Sequence, residues 1–329
     1  MTTLQLLMGY TKHYYNWKEI IGNDFSKCAY SNCVVEQFDQ ANLEHADMLF
    51  FLNAYFRGQR NFPTVSSALR RKQYWFITTV ESAAYFGNRW HSSYDNKFNI
   101  SATHRLSSVM ITPLAMFRPY PKISPSRSLN YAANKTKGAI AYVSNCGSIG
   151  YNRLELMKAI GKYIPVDIYG KCGHQPPCRQ DDKVCEREFN SQYRFYLSFE
   201  NSLCDGYSTE KFWGRIAEGS FFVPIAMGGL SVDEYSRLTP LNSFLHVYNF
   251  TSLDTLGTYL QQLMTDEKLY NSYHKWRESY EFNFTRRYDH CELCRLANEK
   301  PFLPAIPNIS AWWNDPKACV SYDYRQHLN

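Results

Sequence analysis

Short apolar runs, each closed by glycine or a polar cluster, recur along the chain with room for helices between them. Leu4 to Met8, ended by Gly9, reads as a buried strand, and Met48 to Leu52 reads as another. Tyr74 to Val80 predicts a third, which ends at Glu81. Ala139 to Val143, Val166 to Tyr169 closed by Gly170, Tyr193 to Phe199 and Phe221 to Met227 repeat the pattern in the second half. Leu154, Met157, Ile160 and Ile164 fall at helical spacing within Asn152 to Ile164, with Arg153 in the first turn. Leu253 to Met264 reads as an amphipathic helix and Glu267 to Tyr280 as a further one, while residues 171–187 read as a loop clamped by disulfide. Pro113 to Asn134 holds four prolines and no apolar period, which marks an interdomain linker. The expected organisation is α/β: two Rossmann-like domains, 1–133 and 134–329, facing each other across a cleft, with the C-terminal segment returning to the first.

One stretch, Tyr193 to Trp213, takes on three characters in turn. It begins as a β-prone apolar run, breaks into a polar turn from Glu200 to Gly206, and opens a helix at Ser208-Thr209-Glu210-Lys211. The first turn of a helix leaves backbone N–H groups unpaired and carries partial positive charge, so strand-turn-helix units of open α/β sheets hold phosphates there. Lys211 adds a full charge. The same residues also read as a well-capped surface helix, with Ser208 or Thr209 as the cap and Glu210 suited to the dipole.

Phe199-Glu200-Asn201-Ser202 followed by Tyr207-x-Thr209-Glu210-Lys211 resembles the signature of the α1,3-fucosyltransferases, which move fucose from GDP-fucose to N-acetylglucosamine-containing glycans. Val223-Pro224-Ile225, Gly228, Tyr235 and Phe244-Leu245-His246-Val247 continue the resemblance, as do Ser144-Asn145-Cys146 and Pro165 to Gly170 upstream. It covers roughly residues 139 to 285, and the first 130 residues match more loosely. The resemblance implies a GT-B type glycosyltransferase that inverts the anomeric centre. It assigns Arg153 and Lys211 to the donor diphosphate, Glu210 to the ribose, and Asn201 and Tyr207 to further donor contacts. Glu81 matches the family's proton-accepting carboxylate, although family members continue with Ser-Pro or Ala-Pro where this chain reads Ser82-Ala83-Ala84. Phe98-Asn99 and Arg105 resemble another family block, in which the acidic residues expected next are replaced by Ser107-Ser108.

Composition narrows the alternatives. A net charge of +6 with scattered Lys and Arg offers no nucleic-acid groove. Many transferases hold a metal with Asp-x-Asp, and no such triplet occurs, so a metal-free scheme without cofactor is expected, with cations and helix N-termini on the diphosphate. Ten cysteines suit an oxidising lumen. Cys28-x4-Cys33 with Cys291-x2-Cys294 fits a four-thiolate zinc site or disulfides, and the resemblance implies disulfides tying the N-terminal pair to the C-terminal one. Candidate glycosylation sequons lie at Asn99, Asn134, Asn249, Asn283 and Asn308. No apolar run approaches the roughly 20 residues that span a bilayer. The resemblance implies a Golgi-lumenal enzyme acting on a glycan of a glycoprotein or glycolipid; family members carry an N-terminal membrane anchor, which this sequence either has lost or does not include. Two further readings stand beside it. One is a catalytically silent relative that binds a guanine nucleotide or glycan. The other, a two-domain periplasmic-type binding protein, leaves Glu200 to Lys211 unexplained.

Overall fold

The structure is a computed structural model that describes residues 5–9, 18, 21–37, 40–52, 62–85, 89–112, 116–120, 129–179, 182–217, 219–283, 289–323 and 325. The chain divides into two compact units, Met1–Pro113 with Thr285–Ala318, and Leu114–Phe284 with Cys319–Asn329. Each is built on its own parallel sheet with helices, the α/β arrangement expected from the alternating runs.

The first sheet comprises β1 (Gln5–Gly9), β2 (Cys33–Gln37), β3 (Ala46–Leu52), β4 (Tyr74–Thr78), β5 (Ile100–Thr103) and β6 (Met110–Ile111), in the order β2-β1-β3-β4-β5-β6. Alternation along β3 sends Met48, Phe50 and Leu52 to one core and Leu49 and Phe51 to the other. The C-terminal segment covers both faces. Its His290–Glu299 helix packs Leu293, Leu296 and Ala297 on the first core, and its Ile309–Trp313 helix packs Ile309 and Trp313 on the second. Bonds Cys28–Cys291 and Cys33–Cys294 fasten the longer helix, and both lie wholly within the first unit. The thiolates of a zinc site are thereby consumed.

The second unit adds β7 (Met116–Pro119), β8 (Lys137–Tyr142), β9 (Val166–Tyr169), β10 (Tyr193–Phe199), β11 (Leu203–Cys204), β12 (Val223–Met227), β13 (Leu245–His246), β14 (Tyr280–Asn283) and β15 (Cys319–Val320). Its main sheet runs β13-β12-β10-β8-β9, with all pairs parallel. Every residue of β10 is buried, because both faces of this central strand are covered. Phe195, Leu197 and Phe199 meet the core that the Arg153–Ile160 and Leu253–Thr265 helices complete, while Phe212 and Trp213 of the Glu210–Ala217 helix pack on Ala226 of β12.

Three expectations need correction. The supposed linker contains β7, which pairs antiparallel with β14 inside the second unit. The loop assigned to 171–187 ends in a helix, Lys183–Asn190, which Asp182 caps through the Cys185 N–H at 2.9 Å; bonds Cys146–Cys172 and Cys178–Cys185 hold the rest. Glu267 to Tyr280 is broken into a helix to Ser272, a 3-10 turn at Lys275–Glu278 and the start of β14. Tyr270, His274 and Trp276 are all buried, and on one continuous helix Trp276 would point away from the other two.

Lys135 pins the amino-terminal ends of these strands. Its Nζ donates to the carbonyls of Ser191 (3.0 Å), Tyr193 (2.9 Å) and Ser220 (2.8 Å). Burial, then Arg194 and Arg277, push the lysine down to about 7, whereas three carbonyl acceptors favour the ammonium, which alone has three protons to donate. Lys135→Met should lower unfolding free energy by about 2–4 kcal/mol, since the buried carbonyls lose their donor. Denaturant titration of the oxidised protein checks this, and an unchanged midpoint would contradict it.

Two buried histidines, His246 and His274, and the half-buried His104 set a pH dependence. Burial, with Arg105 second, lowers His104 to about 3, and burial lowers His246 to about 4. Burial, then Arg277 and Lys135, hold His274 well below the ordinary value. A histidine that binds its proton more weakly folded than unfolded contributes stability above its unfolded pKa that is lost as pH falls toward the folded one. Stability should therefore fall from about pH 6.5 downward, each histidine adding up to about 1.4 kcal/mol per unit. His246→Gln should flatten the melting-temperature profile in that window, and an identical profile would remove His246 from this account.

Candidate functional site

In the second sheet the chain leaves β8 toward one edge and β10 toward the other, so the loops after these strands diverge. Ligands of open α/β sheets bind in the crevice this creates at the carboxyl ends. Both loops carry the sequence-predicted residues.

The loop after β8 leads to Asn152, whose side chain accepts from the Glu155 N–H at 3.2 Å and starts the Arg153–Ile160 helix. Arg153 is 2% exposed. Its guanidinium donates to the carbonyl of Phe199 (3.2 Å), the last residue of β10, and to that of Asn145 in its own loop, so it joins the two sides of the crevice. Its Nε is buried without a hydrogen-bond partner among the described residues. Beside it, the Tyr151 hydroxyl donates to the Glu200 carbonyl, and the Ile149 N–H donates to the Asn201 carbonyl at 2.8 Å.

The loop after β10 is organised by Glu200, a residue to which the sequence analysis gave no role. Its carboxylate is fully buried and accepts from the Thr209 N–H (2.6 Å) and Oγ1–H (2.8–2.9 Å), where the Glu210–Ala217 helix begins. Lys211 Nζ lies 3.4 Å from Glu200 Oε2, 3.2 Å from Glu210 Oε1 and 3.0 Å from Thr209 Oγ1. Burial raises the Glu200 carboxyl above the ordinary range, against Lys211 and the Thr209 donors. Burial opposes the Lys211 charge, but Glu200 and Glu210 outweigh it and hold the lysine above its usual value. Desolvation raises Glu210 too, but the Lys211 ammonium together with hydrogen bonds from its own N–H, Lys211 and Thr209 outweighs it, so this carboxyl sits below its usual value. Glu210 keeps 67% of its side chain exposed, against 22% for Lys211. The glutamate is thus free to turn toward a ligand while the lysine is held.

Close backbone packing fixes the rest. A Cβ at Gly229 would overlap the Cys204 carbonyl oxygen, and the Gly229 N–H donates to the Tyr207 carbonyl at 2.8 Å. Tyr235 donates to Ser208 Oγ at 3.0 Å, from beneath the helix start. Bond Cys204–Cys319 and the β11–β15 pair bring in the C-terminal strand, and the Tyr322 N–H donates to the Gly150 carbonyl at 2.6 Å. Gly150 has a φ of +88°, and a Cβ there would overlap the Val320 carbonyl oxygen.

Arg153, Asn201, Tyr207, Glu210 and Lys211 thus all lie on the segments that follow β8 and β10, up to the first turns of the helices they lead to. Glu81 belongs to the first unit, three residues past the end of β4, with its N–H 3.4 Å from Thr79 Oγ1. Among the sequons, Asn99 is corrected as an acceptor: its Nδ2 donates to the Leu303 carbonyl at 2.8 Å, and its Oδ1 accepts from the Trp75 N–H and Arg70 at 3.0 Å each, leaving the residue buried. Asn134, Asn249 and Asn308 are exposed, and the Asn283 side chain lies outside the described residues. One triple of potential metal ligands occurs among the described residues, Cys28, His290 and Cys291, but its two sulfurs are bonded to each other.

The sequence model of Glycosyltransferase family 10 (fucosyltransferase) C-term matches residues 132–312. The chain is 37% identical over 232 residues to the Glycoprotein 3-alpha-L-fucosyltransferase A of Drosophila melanogaster, a match spanning 69% of this chain and 45% of that one. It is 30% identical over 282 residues to the 4-galactosyl-N-acetylglucosaminide 3-alpha-L-fucosyltransferase FUT5 of Hylobates lar, over 85% of this chain and 70% of the relative. The chain spans under half the length of the Drosophila relative. Its fold is similar to the crystal structure of an alpha1,3-fucosyltransferase with GDP, with a TM-score of 0.58 and 18% identity over 92% of this chain and 93% of that one. A second alpha1,3-fucosyltransferase structure gives a TM-score of 0.56 at 16% identity over 92% of each chain. With the family model matching more than half of its length, this chain belongs to the glycosyltransferase family 10 fucosyltransferases.

Proposed function

We propose that this chain transfers L-fucose from GDP-β-L-fucose to an N-acetylglucosamine hydroxyl of a glycan in α1,3 linkage, with inversion and without a metal. The observation that carries the reading is the held pair of cations, Arg153 and Lys211, at the switch point of the second sheet in a chain of this family. GDP departs as the C1–oxygen bond to its β-phosphate breaks, and negative charge grows on the diphosphate. Lys211, set by Glu200 and Thr209 at a helix N-terminus, and the buried Arg153 are suited to receive it. Glu210 is free to meet the ribose, with Asn201 and Tyr207 completing the donor contacts.

Glu81 takes the proton of the acceptor hydroxyl as its oxygen bonds to C1 from the face opposite GDP, so a β-linked donor gives an α-linked product. The absence of Asp-x-Asp and the presence of two cations support the metal-free form. Five disulfides fit an oxidising compartment, and we place the protein in the Golgi lumen. Among the described residues no helix is long and apolar enough to cross a membrane. The silent relative remains the second reading, motivated by Ser82-Ala83-Ala84 after Glu81 and by Ser107-Ser108 after Arg105, beside an intact donor motif.

Incubation with labelled GDP-fucose and a panel of N-acetylglucosamine-containing glycans should yield fucosylated product, and chelator should leave the rate unchanged. GDP binding without turnover on any glycan would favour the silent relative, and loss in EDTA restored by manganese would overturn the metal-free form. Lys211→Ala should weaken GDP-fucose binding and turnover together by roughly ten- to a hundredfold, the worth of a charge-assisted contact. Unchanged kinetics in that variant would remove Lys211 from the site.

A further inference from the structure

The turn after β5 departs from the family block at Ser107-Ser108, and the structure gives this turn a task the donor site does not use. The Trp312 indole N–H donates to Ser107 Oγ at 3.1 Å. Arg105, 2% exposed, donates to the carbonyls of both Trp312 and Trp313 (2.9 Å for the latter), and its guanidinium lies over both indoles, 5.1 Å from the Trp312 ring and 4.8 Å from that of Trp313. The two tryptophans have separate fates. Trp313 is fully buried and stacks on Trp90 at 4.8 Å. Trp312 stays partly exposed, at the end of the short Ile309–Trp313 helix. On the same turn as Ser107, Leu106 is 38% and Val109 53% exposed.

This rim is the carboxyl end of the first sheet, and β5, which leads into the turn, is the strand next to β4, which leads to Glu81. We propose that Trp312 is a specificity-determining platform for the acceptor, stacking the apolar face of a pyranose ring of the glycan that presents its hydroxyl to Glu81. This rests on the transferase reading above. The chemistry is that of an aromatic face against sugar C–H groups, with orientation set in advance: Ser107 fixes the indole edge, and Arg105 fixes the ring and its backbone, so little freedom is lost on binding.

The test measures glycan binding without donor, so that it does not depend on turnover. N-acetyllactosamine and N,N′-diacetylchitobiose are titrated separately into the full oxidised chain with intrinsic tryptophan fluorescence as readout, and GDP is titrated in parallel by calorimetry. At least one saccharide should bind, with its dissociation constant raised about tenfold in Trp312→Ala and by less in Trp312→Phe, while GDP affinity and melting temperature stay near wild type. The acceptor KM in the transfer assay should rise with the dissociation constant, with kcat little changed. Saccharide affinity unchanged in Trp312→Ala would overturn the proposal. Equal loss of GDP affinity and melting temperature would make Trp312 structural, and so overturn it as well. Saccharide binding that depends on Trp312 in a chain that transfers no fucose would support the platform while contradicting the transferase reading.

Discussion

The Glu200 carboxylate is the constraint on which the candidate donor site depends. It is sealed at the end of the central strand, where an ionised group is costly unless its partners are in place. The partners are the Thr209 N–H and hydroxyl and the Lys211 ammonium, all from the start of the next helix. Satisfying one buried group therefore fixes where that helix begins, which way Lys211 points and how Glu210 is left exposed. The same carboxylate residue presents its backbone carbonyl to Tyr151, which couples this loop to the one that launches Arg153. On the proposed reading, a diphosphate entering here would meet cations already placed, with little reorganisation as charge develops.

The C-terminal segment completes both units separately. Residues from the His290–Glu299 helix to Trp313 cover the two faces of the first sheet, while β15 pairs with β11 and is bonded through Cys204–Cys319 beside the loops that follow β8 and β10 in the second. Gly150 and Gly229 mark where this packing is closest, since a side chain at either would strike a carbonyl oxygen. Such contacts leave the loops at the carboxyl ends of β8 and β10 few ways to rearrange without parting from the chain's end.

Much of the second unit was legible in the sequence, because its strands are continuous apolar runs and its loops carry long, specific motifs. The α/β class, the strand at Tyr193–Phe199 and the helix opened by Glu210-Lys211 follow from hydrophobic period and dipole chemistry alone. Glu200 stood inside the motif yet had no assignable role, since only the fold reveals that a glutamate one residue past a strand is sealed from water. β7 and β14 escaped because their apolar residues gain meaning only when paired across some 160 positions of sequence. The segment after Glu267 read as one helix because its period holds through His274, and Trp276 breaks it only when burial is known. Asn99 matched a sequon by pattern, and its buried amide shows how little a three-residue pattern says about access. Ser107 seemed a mere departure until its hydroxyl was seen to hold Trp312.

The central claim is that the crevice between the carboxyl ends of β8 and β10 is the nucleotide site, with Arg153 and Lys211 as its anion-binding groups. Amide hydrogen exchange of the full oxidised chain, with and without saturating GDP, tests it most directly. The account predicts slowed exchange concentrated in residues 145–153 and 200–211, lost when Lys211 is replaced by alanine at the same GDP concentration. GDP that binds but leaves both segments unchanged while protecting another region would contradict it.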